Sequence, residues 1–331
     1  MSFDRFAFIA GALCQSGDRF LRTGYKERAL TVPEVIRLVG ARGVASGVEI
    51  HHRGSEDAAY IDELQAAMAQ AHVSPTFIDT WTYGEAKWRY GSLSAPDADT
   101  RRDALSRCKA TVDYARTLGA QGVSLWLGQD GFDYAFQTDY AAQWQHLVDS
   151  LKALCDYANG LPVALEPKPR EPRNRSLVDN VQTALLLRAE CGCPNLGVTL
   201  DTGHALAGGQ GVGPSIMLAA RQGALYNLHV NDNYGAWDDD LIVGSVRLNE
   251  ALETFYLLDK YGYHGHVSVD IFPYRENAVD AVVESVEAMR DYIRVVDKLG
   301  VAGIDSLIAA GDVPATLAAV RRAVFGGGER V

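Results

Sequence analysis

The chain has 331 residues, enough for one large domain or two small ones, and is 47% hydrophobic and 22% charged, as ordinary globular proteins are. Its 31 basic and 42 acidic residues give a net charge of −11. That balance speaks against nucleic acid and anionic membrane partners, whose phosphates need a basic surface, and leaves cation binding open.

Taken in order, Met1-Ser2-Phe3-Asp4-Arg5 lacks the charged-then-apolar pattern of a secretory leader, and no later apolar run approaches the ~18 residues of a membrane span. Short β-branched runs then alternate with longer stretches of helical period. Residues 6–10 read as a first strand, and 32–39 as a helix with Thr31 as cap and Pro33 in its first turn. A second strand is expected at 48–51, a helix at 57–70, a third strand at 76–81, a polar loop at 83–98 and a helix at 100–118. The fourth strand, 122–127, leads into a long aromatic loop, 129–139, and a helix at 140–158. A fifth strand at 162–166 and a helix at 177–190 follow. Cys191-Gly192-Cys193 has the wrong spacing for a zinc knuckle, and with Cys14, Cys108 and Cys155 the cysteines are odd in number and scattered, which suits a reducing cytoplasm. The sixth strand is 196–200, followed by a Gly-rich segment with a helix near 214–221. A seventh strand at 225–230, a helix at 248–260, an eighth strand at 266–270 and a long helix at 277–299 complete the pattern.

Eight strands alternating with helices favour a parallel (β/α)8 barrel over residues 1–300, with 301–331 as a short C-terminal helical extension. No Gly-rich phosphate loop follows the first strand, which weakens an open dinucleotide-binding sheet. The extension's apolar positions, Ile304, Leu307, Ile308, Leu317, Val320 and Val324, need a surface to pack on, either the barrel or a neighbouring subunit.

Active sites of such barrels lie where the strands end. Here four consecutive strands deliver Glu166, Asp201, His229 and Asp270, and His204 follows three residues after Asp201. Each alone is a common polar edge or helix cap; four converging on one face is not. The spacing suggests two cations: Glu166, Asp201, His229 and Asp270 in one ring, and His204, Asp238 and Asp240 in a second, with Asp201 bridging. In an extended loop Asp238 and Asp240 face the same way. Carboxylates with imidazole and no thiolate suit Mn²⁺, Mg²⁺ or Co²⁺. Such a cluster repels itself unless a cation offsets it.

These residues carry a resemblance. Glu166-Pro167-Lys168-Pro169-Arg170-Glu171-Pro172 is similar to the fifth-strand signature of xylose isomerases, and Asp201-Thr202-Gly203-His204 resembles their sixth-strand metal motif, which carries Glu in place of Asp. His229-Val230-Asn231-Asp232 through Asp238-Asp239-Asp240-Leu241-Ile242-Val243-Gly244 looks most like the rhamnose isomerase branch, where the seventh-strand ligand is the His. The resemblance is close over about 120–275 and loose over the first hundred residues. It implies a metal-dependent aldose–ketose isomerase with two divalent cations per subunit, and a homo-oligomer, dimer or tetramer, is expected. No Arg or Lys cluster or phosphate loop stands at the expected mouth, Arg170, Arg173 and Arg175 apart, which favours a free monosaccharide as substrate. Lys168 would donate to the carbonyl oxygen while hydrogen moves between C1 and C2. His51, Glu166 and Asp270 join it in the catalytic set. Trp126, Trp81, Phe132 and His204 are assigned to the sugar. Either His51 or His52 of the second strand could face the sugar, with the other structural, while His72, His146, His264 and His266 are read as structural.

Two enzyme readings compete: a ketose 3-epimerase, which uses one metal and a pair of acidic acid/base residues, and a sugar-enolising lyase or C-glycoside-cleaving barrel. A related class cleaves DNA at abasic sites, and the acidic balance disfavours it.

Overall fold

Eight parallel strands form a ring, each followed by a helix on the outside. The computed structural model describes residues 4–18, 20–21 and 24–326. The strands are β1 (Phe6–Phe8), β2 (Gly47–His52), β3 (Ser74–Thr80), β4 (Gly122–Leu125), β5 (Val163–Leu165), β6 (Leu196–Asp201), β7 (Leu225–Val230) and β8 (Val267–Val269). Their order round the sheet is β1-β8-β7-β6-β5-β4-β3-β2, every pair parallel, and a parallel bridge from Ile9 to Glu49 closes it. This is a (β/α)8 barrel.

The period of two along each strand sorts the side chains. In β7, Leu228 and Val230 are buried against the helices, while Asn227 and His229 bond to Glu49 across the barrel. In β2, Glu49 is the residue that meets them, while Val48 and Ile50 belong to the apolar core. Ser124 Oγ and Thr199 Oγ1 meet 2.9 Å apart, also from inward positions. The barrel's interior is therefore unusually polar, and the outer faces of the strands carry the hydrophobic burial.

The outer ring consists of helices Val32–Gly40, Ala58–Ala71, Ala98–Leu118, Tyr140–Ala158, Val181–Cys191, Val212–Arg221, Leu248–Lys260 and Ala278–Leu299. Thr31 and Glu34 form a reciprocal capping box at the first. Asp57, Asp97, Asp139, Asn180 and Asn277 cap others through their side chains. Each such cap contributes about 1 kcal/mol.

The differences from the sequence expectation have local causes. β1 stops at Phe8 because Ile9 bridges to Glu49 and the chain turns into a short helix, Ala10–Leu13. The helix expected from 177 starts at Val181, because Asn180 accepts from Thr183 N and Leu177 N is spent on Asp130 O. A short helix, Thr202–Ala207, opens the segment after β6, capped by Asp201, which accepts from His204 N at 2.8 Å. Within the aromatic loop, Gly131–Phe132 pairs antiparallel with Arg175–Ser176.

The extension folds as helices Val301–Ala310 and Val313–Phe325. Ile304, Val320 and Val324 pack against the core, while Ile308 and Leu317 stay exposed. Among the described residues no helix is long and apolar enough to cross a membrane.

Candidate metal centre

Glu166 follows β5, Asp201 ends β6, His229 lies in β7 and Asp270 follows β8. One donor atom from each lies within 4.8 Å of the others. His229 Nδ1 stands 3.3 Å from Glu166 Oε1 and 3.6 Å from Asp270 Oδ2. Asp201, His204 and Asp238 form a second group within the same limit, so Asp201 belongs to both. In it His204 Nε2 lies 3.1 Å from Asp238 Oδ2, while His204 Nδ1 lies 3.1 Å from the Pro167 carbonyl. Lys168 Nζ reaches Asp238 Oδ2 at 2.8 Å and Glu171 Oε2 at 2.9 Å, and sits 5.1 Å from the centre of the Trp126 ring.

Gly203 explains how the two groups come so close. A Cβ there would fall 1.7 Å from Asn231 Oδ1 and 3.0 Å from Asp238 Oδ1. Only glycine lets the short helix start against the loop after β7. Asn231 in turn donates to Asp201 Oδ2 at 3.1 Å.

The electrostatics fit a missing positive charge. Burial raises the Asp270 carboxyl, Asp201 and Glu166 add to it, and the acid is pushed up to about 8 despite His229. Burial and neighbouring carboxylates likewise raise Asp201 and Asp240. Burial opposes a charge on His204, yet Asp201 and Asp238 outweigh it and raise the imidazole to about 9. His229 is raised in the same way by Glu49 and Glu166. Protons thus gather where lone pairs of three carboxylates and an imidazole converge. A divalent cation takes the same position with the same donors, so the residues present fit one. Lys168 stays charged, because Asp238 and Glu171 more than offset its burial.

A cavity of about 390 Å³ opens over these groups. Glu166, Lys168, His204, His229, Asp238, Asp240 and Asp270 all line it, as do His51 and Trp126. His51 is a neutral imidazole, lowered to about 4 by burial and Arg53, with Glu166 opposing. His52 points the other way, onto Thr111 Oγ1 and the Tyr114 ring.

Three expectations need correction. Asp240 lines the cavity beside Asp238 but lies outside the group of Asp201, His204 and Asp238, and its φ of 50° is left-handed, so the loop is not extended there. Phe132 is drawn into the pairing with Arg175, its ring tilted against that of Tyr140 with centroids 5.0 Å apart, and it is not among the residues lining the cavity. Trp81 stands behind the wall, edge-on to His51 at 5.4 Å and 4.4 Å from Tyr83, whose ring fills the gap to Trp126. The sequence reading missed Tyr83 and Asp79, which line the cavity, and Glu49 beneath it. The only signal for Asp79 and Glu49 was an acid at an inward position of a strand.

A family model described as a xylose isomerase-like TIM barrel matches residues 34–292. The chain belongs to that family. Solved structures similar to this family member include a D-tagatose 3-epimerase-like protein, at 16% identity and a TM-score of 0.69, covering 89% of this chain and 98% of that one. D-psicose 3-epimerase from Clostridium cellulolyticum H10 shares 18% identity with a TM-score of 0.67, covering 87% and 99%. The E. coli 3-keto-D-glucoside 4-epimerase shares 17% identity with a TM-score of 0.63, covering 85% and 98%. At these identities the likeness speaks for the fold.

Proposed function

We propose that this chain is a divalent-metal-dependent isomerase that interconverts a free aldose and its ketose. The observation that carries the reading is the lysine beside the second group: Lys168 pairs with Asp238 at 2.8 Å, and Asp238 shares its donor group with Asp201 and His204, Asp201 belonging also to the four-strand cluster. Two groups sharing one carboxylate, with a fixed ammonium at their edge, suit a pair of oxygens on adjacent carbons.

In this reading Glu166, Asp201, His229 and Asp270 hold one cation, and Asp201, His204 and Asp238 a second, with Mn²⁺, Mg²⁺ or Co²⁺ matching the donor chemistry. A bound divalent cation supplies charge stabilisation to sugar oxygens. Lys168 donates a hydrogen bond to the carbonyl oxygen as negative charge develops there. The C2–H bond breaks and a C1–H bond forms with the same electron pair; a proton leaves the O2 hydroxyl and one arrives at O1. No side chain has to take the carbon-bound hydrogen. The rings of Tyr83 and Trp126 offer an apolar face to the sugar's C–H edge. Among the described residues lining the cavity, Lys168 is the only lysine or arginine, and two carboxylates already neutralise it, which favours an unphosphorylated sugar.

The test is a panel of free aldoses and ketoses incubated with Mn²⁺, with products resolved by chromatography. Aldose–ketose exchange is the expected outcome.

One observation favours a second reading. Glu166 and Asp270 both approach His229 Nδ1, at 3.3 and 3.6 Å, from strands on either side of it. Two carboxylates so placed can flank a single substrate carbon, removing its proton on one face and returning it on the other. That is the arrangement an epimerase needs, and several structural neighbours are described as 3- or 4-epimerases. Inversion at one carbon in the same panel, with no aldose–ketose exchange, would decide for it.

A further inference from the structure

Below the cluster, Glu49 of β2 is wholly buried inside the barrel. Donors from two other strands reach it. Ser268 Oγ of β8 donates to Oε1. Asn227 Nδ2 of β7 lies 3.2 Å from Oε1 and 3.1 Å from Oε2. His229 Nε2, also of β7, lies 3.0 Å from Oε2.

Asn227 Nδ2 and Ser268 Oγ donate to the Glu49 oxygens, which are therefore acceptors, so the imidazole nitrogen that faces Oε2 must carry a hydrogen. That nitrogen is Nε2. The other, Nδ1, faces Glu166 and Asp270 in the cavity. Barrel interiors are ordinarily filled with branched apolar side chains, and a buried charge is costly unless it is paired and hydrogen-bonded. Asn227, Ser268 and His229 supply the donors that Glu49 needs, and of these three His229 is the one that also lines the cavity.

We propose that Glu49 is a positioning residue: it fixes the tautomer and orientation of His229, so that the Nδ1 lone pair is aimed at the cation that Glu166, Asp201 and Asp270 help to hold. The inference rests on the metal-centre reading above. Glu49 is not itself a ligand. Its donor atom lies within 4.8 Å of those of Asp79 and His229, but both of its oxygens are already taken by hydrogen-bond donors. Asn227 and Ser268 keep the carboxylate itself from turning.

The experiment is calorimetric titration of metal-stripped protein with Mn²⁺ alone, on the wild type and on Glu49→Gln. The amide keeps the shape and loses the charge. The variant is expected to bind Mn²⁺ 10- to 100-fold more weakly, the range found when an outer partner of a metal-bound histidine is removed. The visible spectrum of the Co²⁺-loaded variant should shift as well, because the ligand ring is no longer held, which a loss of general stability would not produce. Glu49→Asp, which keeps the charge but draws it back from Nε2, is read in the same way if the Gln protein does not fold. A folded variant with wild-type Mn²⁺ affinity and an unchanged Co²⁺ spectrum overturns the proposal. Failure of the wild type to take up Mn²⁺ overturns the metal-centre reading itself, and this inference with it.

Discussion

Lys168 Nζ lies 2.8 Å from Asp238 Oδ2, the same oxygen that stands 3.1 Å from His204 Nε2. The lysine is therefore anchored by the second donor group and by Glu171, with little freedom to swing. Lys168→Met should keep the Mn²⁺ stoichiometry measured by calorimetry while lowering kcat about 10²- to 10³-fold, the effect of losing one donor to a developing oxyanion. An unchanged kcat would remove Lys168 from the mechanism.

Asp201 caps the helix Thr202–Ala207 and belongs to both donor groups. An asparagine can still accept from His204 N, so Asp201→Asn separates the cap from the charge. Its amide nitrogen would then face the Asn231 donor, so the Tm of each metal-free protein is the reference for its own metal response. The wild type should gain about 2.7 kcal/mol from Mn²⁺ at a hundredfold excess over Kd. The variant should gain almost nothing, and its activity should fall to background. A full Mn²⁺-induced shift of Tm in the variant would contradict the shared-carboxylate arrangement.

The pH response follows from the raised groups. Burial and neighbouring carboxylates lift Asp270 to about 8; Asp201 and Asp238 lift His204 to about 9 against its burial. The folded, metal-free protein thus holds protons that the unfolded chain releases near about 3.9 for Asp and about 6.5 for His. Stability from these protons is complete below those values and is lost as pH rises through 8 and 9. A cation takes the protons' place, so the Tm gain from Mn²⁺ should grow between about pH 6 and 9, with proton release seen in calorimetry across buffers of different ionisation enthalpy. A gain independent of pH would show that the donors are already bare.

Away from the cluster, Asp130 is wholly buried and holds the loop around Ser92 and Ser94. Its Oδ1 accepts from Ser92 N at 3.1 Å, Ser94 N at 2.7 Å and Ser94 Oγ at 2.6 Å, and its Oδ2 accepts from Ser92 Oγ. Asp130→Ala leaves two backbone N–H groups buried without an acceptor. It should cost about 3 kcal/mol by chemical denaturation, since each unsatisfied group costs roughly 1–3 kcal/mol. A loss below about 0.5 kcal/mol would contradict this account of the loop.

How much of this is legible in the sequence depends on whether the cause is local. The barrel is legible because strand and helix periods alternate eight times, and the donors at the ends of β5 to β8 are legible because a strand end can be read from its own residues. Asp240 is not, because nothing local announces its left-handed backbone. Phe132 is misread because its partner, Arg175, lies in a distant loop. Asp130 and Glu49 escape notice for the same reason: their donors come from strands and loops far away in the chain, and a lone acid in a sequence looks like a surface residue. Asp238 is legible from its spacing after the seventh strand and from the motif it shares, although an acidic loop on its own reads as a solvated one.

The most direct test of the central claim uses aldoses carrying deuterium at C2, incubated with the Mn²⁺-loaded protein in ordinary water. The account predicts a ketose with the deuterium retained at C1, because the hydrogen passes between carbons without meeting a base. Deuterium lost to water, or inversion at C3 with no C1–C2 exchange, would contradict it.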